Sequence, residues 1–309
     1  MFDKLYYQDK GLFLQSFHPA AVLAYLFVLL LLSLLYDNPL YLLSLLLLLA
    51  LLIRGVDGFE AWEGFLKAGV FLMLVVMAVN PLVIRAGATI IWHGPDVPFL
   101  GRLDISMEAM YFGAVSGLRL LVIMSVFCLY NLMVNPDNVL NLFSRAAGKS
   151  VLMVALATRM FPTMVRDLKR IKEVMQFRGV DFEEGGLWVR VKKYSGLYNV
   201  MLLSSLEDSM EIAESMQARA YGSGRRSVYS RNLLRPRDYL SMGASLLALF
   251  AAAWGLLYGC GRYAFYPVAD ALVSDASTLA ALVVVLFYLS VPLILSEGCK
   301  YCRFIKSKI

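Results

Sequence analysis

The chain has 309 residues, of which 60% are of the AVILMFWYC types and only 17% are charged, with a formal net charge of +6. Soluble domains hold about 45–50% apolar residues even when Gly is counted, so this balance excludes an ordinary water-soluble enzyme and points to lipid. The positive charge does not by itself call for nucleic acid, and no nucleic-acid partner is expected, because cytoplasmic loops of membrane proteins are selectively rich in Lys and Arg.

Met1–Phe17 is polar and mixed in charge, and the first apolar run after it is too long for a signal peptide and lacks a cleavage site, so it predicts a retained span. Ala20–Tyr36 and Leu40–Ile53 contain no charged residue. Left in water they would expose more apolar surface than soluble proteins tolerate. Six candidate spans follow in order, at about 20–36, 39–53, 67–84, 111–134, 239–258 and 276–296. Asp37-Asn38-Pro39 supplies turn chemistry between the first two, and Trp92–Pro98 predicts a polar loop between the third and fourth.

Between Asn135 and Asp238 lies a stretch that carries more than half of the Lys and Arg, among them Arg166, Lys169, Arg170, Lys172, Arg178, Lys192, Lys193, Arg219, Arg225 and Arg226. Placing it in the cytoplasm puts both termini there, in agreement with Lys300, Arg303, Lys306 and Lys308 at the C-terminal end and with the scarcity of basic residues in 259–275. The predicted fold class is an all-α, polytopic inner-membrane bundle of about six spans with a long cytoplasmic helical section. Its parts are 1–134 with four spans, 135–238 in the cytoplasm, and 239–309 as a two-span hairpin.

The cytoplasmic stretch carries helical periodicity. Asn135-Pro136 is a cap followed by Pro at the first helical position, and Gly148 is a candidate stop. Helices are predicted near 136–147, 151–178 and 194–221, the second kinked or offset by Pro162 and the third ended by Gly222-Ser223-Gly224. Phe161, Met164, Leu168, Ile171 and Met175 recur at steps of three and four, which lays an apolar stripe along a charged helix.

The most informative feature is an internal repeat. Ile171, Glu173, Met175, Gln176 and Arg178 recur in register as Ile212, Glu214, Met216, Gln217 and Arg219. At i, i+4 and i+7 the Ile, Met and Arg share one helical face, so each segment offers an apolar ridge ending in a guanidinium. An Arg in a last turn can simply complement the helix dipole, worth about 0.3–1 kcal/mol, with Gly179 as an ordinary stop. Two helices sharing ridge and charge favour a partner interface instead. Arg suits a partner carboxylate because its planar fork makes paired, charge-assisted hydrogen bonds.

Other features lead away from chemistry within this chain. Phe143–Ser150 imitates the end of a P-loop, but Phe143 stands where the first Gly is required and the preceding segment is predicted helical. Arg119 lies inside an apolar span, with Glu108 about three turns earlier, and interhelical or carbonyl pairing is its expected role. His18 and His93 are too far apart for metal spacing. Cys299 and Cys302 form a CxxC pair without a second pair, and Cys128 and Cys260 are expected to be apolar or interfacial thiols.

With these motifs the chain resembles, over nearly its whole length, the T components (EcfT/CbiQ-like transmembrane subunits) of energy-coupling factor importers. That family carries two Ala-Arg-Gly signatures at helix ends, matched here by Phe177-Arg178-Gly179 and Ala218-Arg219-Ala220, each departing at one position. Asn80-Pro81, Glu108, Arg119 and Phe161-Pro162 also match family positions. The resemblance implies docking of each Arg-tipped helix into one of two ABC-type ATPases, through Ile171, Met175, Arg178, Gly179, Ile212, Met216, Ala218, Arg219 and Ala220. It further implies that Phe161, Met164, Leu168, Met201 and Leu202 contact a membrane-embedded substrate-binding S component, for vitamin or metal-ion uptake such as cobalt. No catalytic residue, metal or cofactor is then expected in this chain, ATP being bound by the partner subunits. A self-contained or ordinary ABC permease is the alternative, and a membrane-embedded lipid-modifying enzyme, which needs clustered Asp or His at a membrane face, is the more distant one.

Overall fold

Helix starts in this chain rest on short capping signals. In the computed structural model, which describes residues 13–83, 89–97, 101–224, 234–259, 261, 263–265 and 276–301, His18 caps helix α1 (Pro19–Leu35) by accepting the Ala20 amide on Nδ1 at 3.2 Å. Asn38 caps α2 (Pro39–Gly55) in the same way, its Oδ1 accepting from Leu40 N at 2.9 Å. In both, proline occupies the first helical position, where the missing N–H removes no intrahelical bond. The chain continues through α3 (Phe59–Val83), β1 (Ile90–Val97), β2 (Gly101–Ser106), α4 (Met107–Met133), α5 (Pro136–Phe177), α6 (Leu187–Ala218), α7 (Pro236–Leu257), α8 (Ala276–Leu289) and α9 (Val291–Tyr301). It divides into two compact units, Met1–Val139 with Asn232–Ile309, and Leu140–Arg231.

The first unit is a membrane helix bundle whose core joins α1, α2, α4, α7 and α8. Leu32, Leu42, Leu49, Ile53, Val122, Leu129 and Leu289 are all fully buried in it. Two tyrosines tie its N-terminal and C-terminal parts together: Tyr25 OH donates to Leu289 O at 2.8 Å, and Tyr41 OH donates to Thr278 O at 2.7 Å. Buried in hydrocarbon, each hydroxyl needs such an acceptor.

Helix α3 packs on α4 along a seam of small residues. A Cβ on Gly117 would stand 2.6 Å from Met73 Cγ and 2.9 Å from Met73 Cα, and one on Gly113 would stand 3.1 Å from Met77 Cα. Gly113 and Gly117 form a GxxxG pair, the spacing that lets two membrane helices approach backbone to backbone. Trp62 Nε1 adds a hydrogen bond to Ser125 Oγ at 3.1 Å. Phe71, Leu74 and Val79 on α3 are exposed, as a helix needing lipid or a partner on its other faces would be.

Arg119, deep in α4, pairs with the turn between α1 and α2. Its Nη2 donates to Asp37 Oδ1 at 2.6 Å and to Tyr36 O at 3.1 Å. Interhelical and carbonyl pairing are both realised, as expected for a charged group inside a membrane bundle. Glu108 has a structural partner as well, accepting from Thr89 Oγ1 at 2.6 Å and Thr89 N at 3.2 Å.

The structure corrects several local expectations. All six apolar segments are helical, but among the described residues only α3 over Phe59–Pro81, α4 and α7 are long and apolar enough to cross a membrane alone. Helices α1 and α2 have 17 residues each, or about 25 Å at 1.5 Å per residue, short of a hydrocarbon core about 30 Å thick. The predicted sixth span is a pair, α8 and Val291–Gly298 of α9, bent by 46°. Pro292 lies just past the break, where it withholds an amide from the helix ladder.

In place of a polar loop over Trp92–Pro98, β1 and β2 form an antiparallel hairpin pairing Ile90 with Ser106 and Val97 with Gly101. Register shifts fall between Ile90 and Trp92 and between His93 and Asp96, the second where Gly94-Pro95 would otherwise break the ladder. Pro98 and Cys260 lie outside the described residues, as do Cys302, Arg303, Lys306 and Lys308.

Separate helices over 136–147 and 151–178 are likewise replaced by one, the 42-residue α5, which runs through Gly148 and Pro162. Glycine in a helix interior costs about 1 kcal/mol relative to Ala, too little to end a helix whose flanks are good formers. The P-loop mimic at 143–150 is accordingly helix interior rather than a strand-to-helix turn. Helix α6 starts at Leu187, after the Gly185-Gly186 break, and ends at Ala218, ahead of the Gly222-Ser223-Gly224 stop.

Candidate functional site: two arginine-capped helix ends

The two repeated segments end α5 and α6 by the same hydrogen-bond pattern. At the end of α5, Gly179 has φ +86, its amide donates to Gln176 O at 2.9 Å, and Val180 N donates to Met175 O at 3.1 Å. At the end of α6, Ala220 has φ +56, its amide donates to Gln217 O at 2.9 Å, and Tyr221 N donates to Met216 O at 3.0 Å. Both are Schellman motifs, in which a left-handed residue turns the chain back and satisfies two terminal carbonyls. Arg178 and Arg219 therefore occupy the same position, the C-cap, immediately before the left-handed residue.

This geometry gives the third residue of each signature a physical meaning. Gly179 supplies the left-handed backbone without strain, whereas Ala220 adopts it against its Cβ. The need for the turn, not the chemistry of the side chain, is what that position imposes.

Arg178 and Arg219 are both exposed. Ile171, Met175, Ile212 and Met216 are half-buried, forming the ridge leading to each guanidinium, and Ala218 is exposed. Phe177, which stands in the first signature where Ala218 stands in the second, is 91% exposed. The two ends thus share backbone and charge but differ by one large aromatic. Of the second group, Phe161 and Leu202 are exposed, while Met164, Leu168 and Met201 are half-buried. Helices α5 and α6 do not pack side by side along their lengths, so their ridges are presented separately.

Two features of this unit were not apparent from periodicity. The α5–α6 connection is folded around Phe182, 1% exposed, whose ring lies 5.2 Å from that of Tyr194 and 5.8 Å from Lys172 Nζ. Lys193 Nζ donates to Asp181 O and Glu184 O, and Glu183 N donates to Asp181 Oδ1 at 2.8 Å. A lone aromatic among acidic residues and glycines is the only sequence signal for this plug. In addition, Trp188, Leu203, Leu206 and Met210 are exposed on α6, more apolar surface than a helix facing water keeps.

Among the described residues no three His, Cys, Asp or Glu side chains gather as a metal site. His18 serves as a helix cap, and Cys128 is buried in the bundle.

A family profile described as cobalt transport protein, CbiQ, matches residues 12–230. The energy-coupling factor transporter transmembrane protein EcfT of Heliobacterium modesticaldum is 27% identical over 199 residues, covering 58% of this chain and 74% of its own. That of Streptococcus thermophilus is 28% identical over 197 residues, covering 59% and 72%. That of Macrococcus caseolyticus is 22% identical over 242 residues, covering 74% and 89%. The profile match takes in the first four apolar helices and both arginine-capped ends, and the chain belongs to the CbiQ family of transport proteins.

Proposed function

We propose that this chain is the non-catalytic energy-coupling subunit of an ECF-type importer in the inner membrane. Arg178 and Arg219 each enter an acidic groove on one of two ABC-type ATPases, with Ile171 and Met175, or Ile212 and Met216, filling the apolar part of the socket. ATP is bound and hydrolysed by those partners. Their closure moves α5 and α6, whose apolar surfaces at Phe161, Met164, Leu168, Met201 and Leu202 pass the motion to a membrane-embedded S component that selects a vitamin or metal ion. Both termini and residues 135–238 face the cytoplasm in this arrangement, as the charge bias supports.

The observation that carries the reading is the pair of matching C-caps. Two solvated helix ends have no need to share a Schellman turn, an Ile-Met ridge and a terminal Arg. Two equivalent sockets on a two-ATPase motor require that pairing. Purification of the tagged chain from its own membranes in mild detergent tests it: two ABC-type ATPases and a separate small membrane protein should be recovered with the chain. Recovery of the chain alone, transporting solute unaided, would contradict it.

A further inference from the structure

The chain leaves the membrane bundle at the end of α4 and returns to it at the start of α7. The short N-terminal 3₁₀ turn Phe13–Ser16 and the two residues after it touch both points. On the exit side, Gln15 Nε2 donates to Leu132 O at 3.0 Å, in the last turn of α4. On the return side, Arg237 Nη2 donates to Ser16 O at 2.6 Å, and its guanidinium lies over the Phe13 and Phe17 rings, 5.0 and 5.2 Å from their centroids.

Asp238 completes the clasp. One carboxylate oxygen accepts from Arg235 N at 2.8 Å, closing the start of α7, and the other accepts from His18 N at 3.0 Å, where α1 begins. Arg237 is 5% exposed and Asp238 1%. Burying a guanidinium and a carboxylate is costly unless both are paired and hydrogen-bonded, and here each makes a hydrogen bond to the segment Ser16–His18.

We propose that Phe13–His18 is a belt that holds the exit of α4 and the entry of α7 at a fixed spacing, and that Gln15, Arg237 and Asp238 are positioning residues for coupling. This rests on the proposed function only in its second half. With both tethers held on one base, displacement of α5 and α6 reaches the bundle as a whole. Without the belt, each tether yields separately and the motion is lost within the bundle. Arg rather than Lys suits the post, because one delocalised cation must lie against two rings and still reach a carbonyl.

Distance measurements by electron spin resonance test the two halves apart. With the native cysteines replaced, spin labels go at Asn131→Cys and Leu234→Cys in the full chain in lipid nanodiscs. The expected result is one narrow distance in the parent and a distribution broader by about two-fold in Arg237→Ala, as local opening of a tether would give. Gln15→Ala removes the hydrogen bond to Leu132 O and no buried charge, and should broaden it less, so the test survives if Arg237→Ala does not fold. An unchanged distribution in both would overturn the belt, whatever the partners. In the complex with the ATPases, the parent spacing should be the same with and without trapped ATP and vanadate, and should shift with nucleotide in Arg237→Ala. A nucleotide-dependent shift in the parent would overturn the fixed base while leaving the coupling function standing. Failure to recover ATPases would instead count against that function and leave the first measurement valid.

Discussion

The left-handed residues after Arg178 and Arg219 invite a reciprocal exchange, Gly179→Ala and Ala220→Gly. A Cβ at position 179 would meet nothing within 4 Å, so its cost is confined to the backbone at φ +86. The left-handed conformation costs an L-residue about 1–2 kcal/mol, and Ala regains about 0.4–1 kcal/mol through a less flexible unfolded chain, leaving a net loss of about 1 kcal/mol. Ala220, at φ +56, already carries that strain. Ala220→Gly should therefore tighten the end of α6 by about 0.5–1 kcal/mol, and about 1 kcal/mol is roughly five-fold in an opening equilibrium. Hydrogen exchange with protection factors corrected for sequence measures this directly at the amides that close each turn. Protection at Gly179 and Val180 should fall about five-fold in Gly179→Ala, and protection at Tyr221 should rise about two- to five-fold in Ala220→Gly. Equal protection in Ala220→Gly and the parent would refute the assignment of position 220 as a strained left-handed cap.

Other perturbations probe the bundle. Gly117→Ala places a methyl 2.9 Å from the Met73 backbone and should lower stability in detergent by about 1–3 kcal/mol, whereas Gly243→Ala in α7, with open space around its Cβ, should be neutral or stabilising by up to about 1 kcal/mol. Thermal unfolding of the two variants checks the contrast. Asp37→Asn removes the charge facing Arg119, whose Nε is buried with no hydrogen-bond partner among the described residues, and should cost about 1–3 kcal/mol. Adding Arg119→Met should restore part of that loss, since no unpaired guanidinium is then left, and a double-mutant cycle reads the coupling.

The parts of this molecule that follow from short-range rules could be foreseen. Uninterrupted apolar runs gave helices, Asp37-Asn38-Pro39 turned the chain between α1 and α2, Asn135-Pro136 opened α5, and the Ile-Met-Arg repeat became two helix ends with the same hydrogen bonds. What escaped depends on competition or on distant neighbours. Gly148 was a plausible stop, but its cost is small beside the propagation of a long helix. Ala220 gives no sign of a left-handed backbone, because its Cβ disfavours that conformation and residue preference alone argues against it. Gly113 and Gly117 matter only once α3 lies against them, Phe182 only once Lys172 and Tyr194 surround it, and Arg237 only once Phe13 and Phe17 meet over its guanidinium. Charges near a boundary look like solvated loop until a remote partner buries them.

We propose that Arg178 and Arg219 grip two ATPases. The most direct measurement of that grip is the amount of ATPase retained on the tagged chain carrying Arg178→Glu and Arg219→Glu, beside a control with Arg166→Glu and Arg170→Glu, which are exposed on α5 away from its C-cap. Breaking a docked charge pair costs about 2–5 kcal/mol, so the first variant should lose nearly all ATPase while the control keeps it. Equal retention by both would contradict the assignment of the two helix ends as the motor's handles.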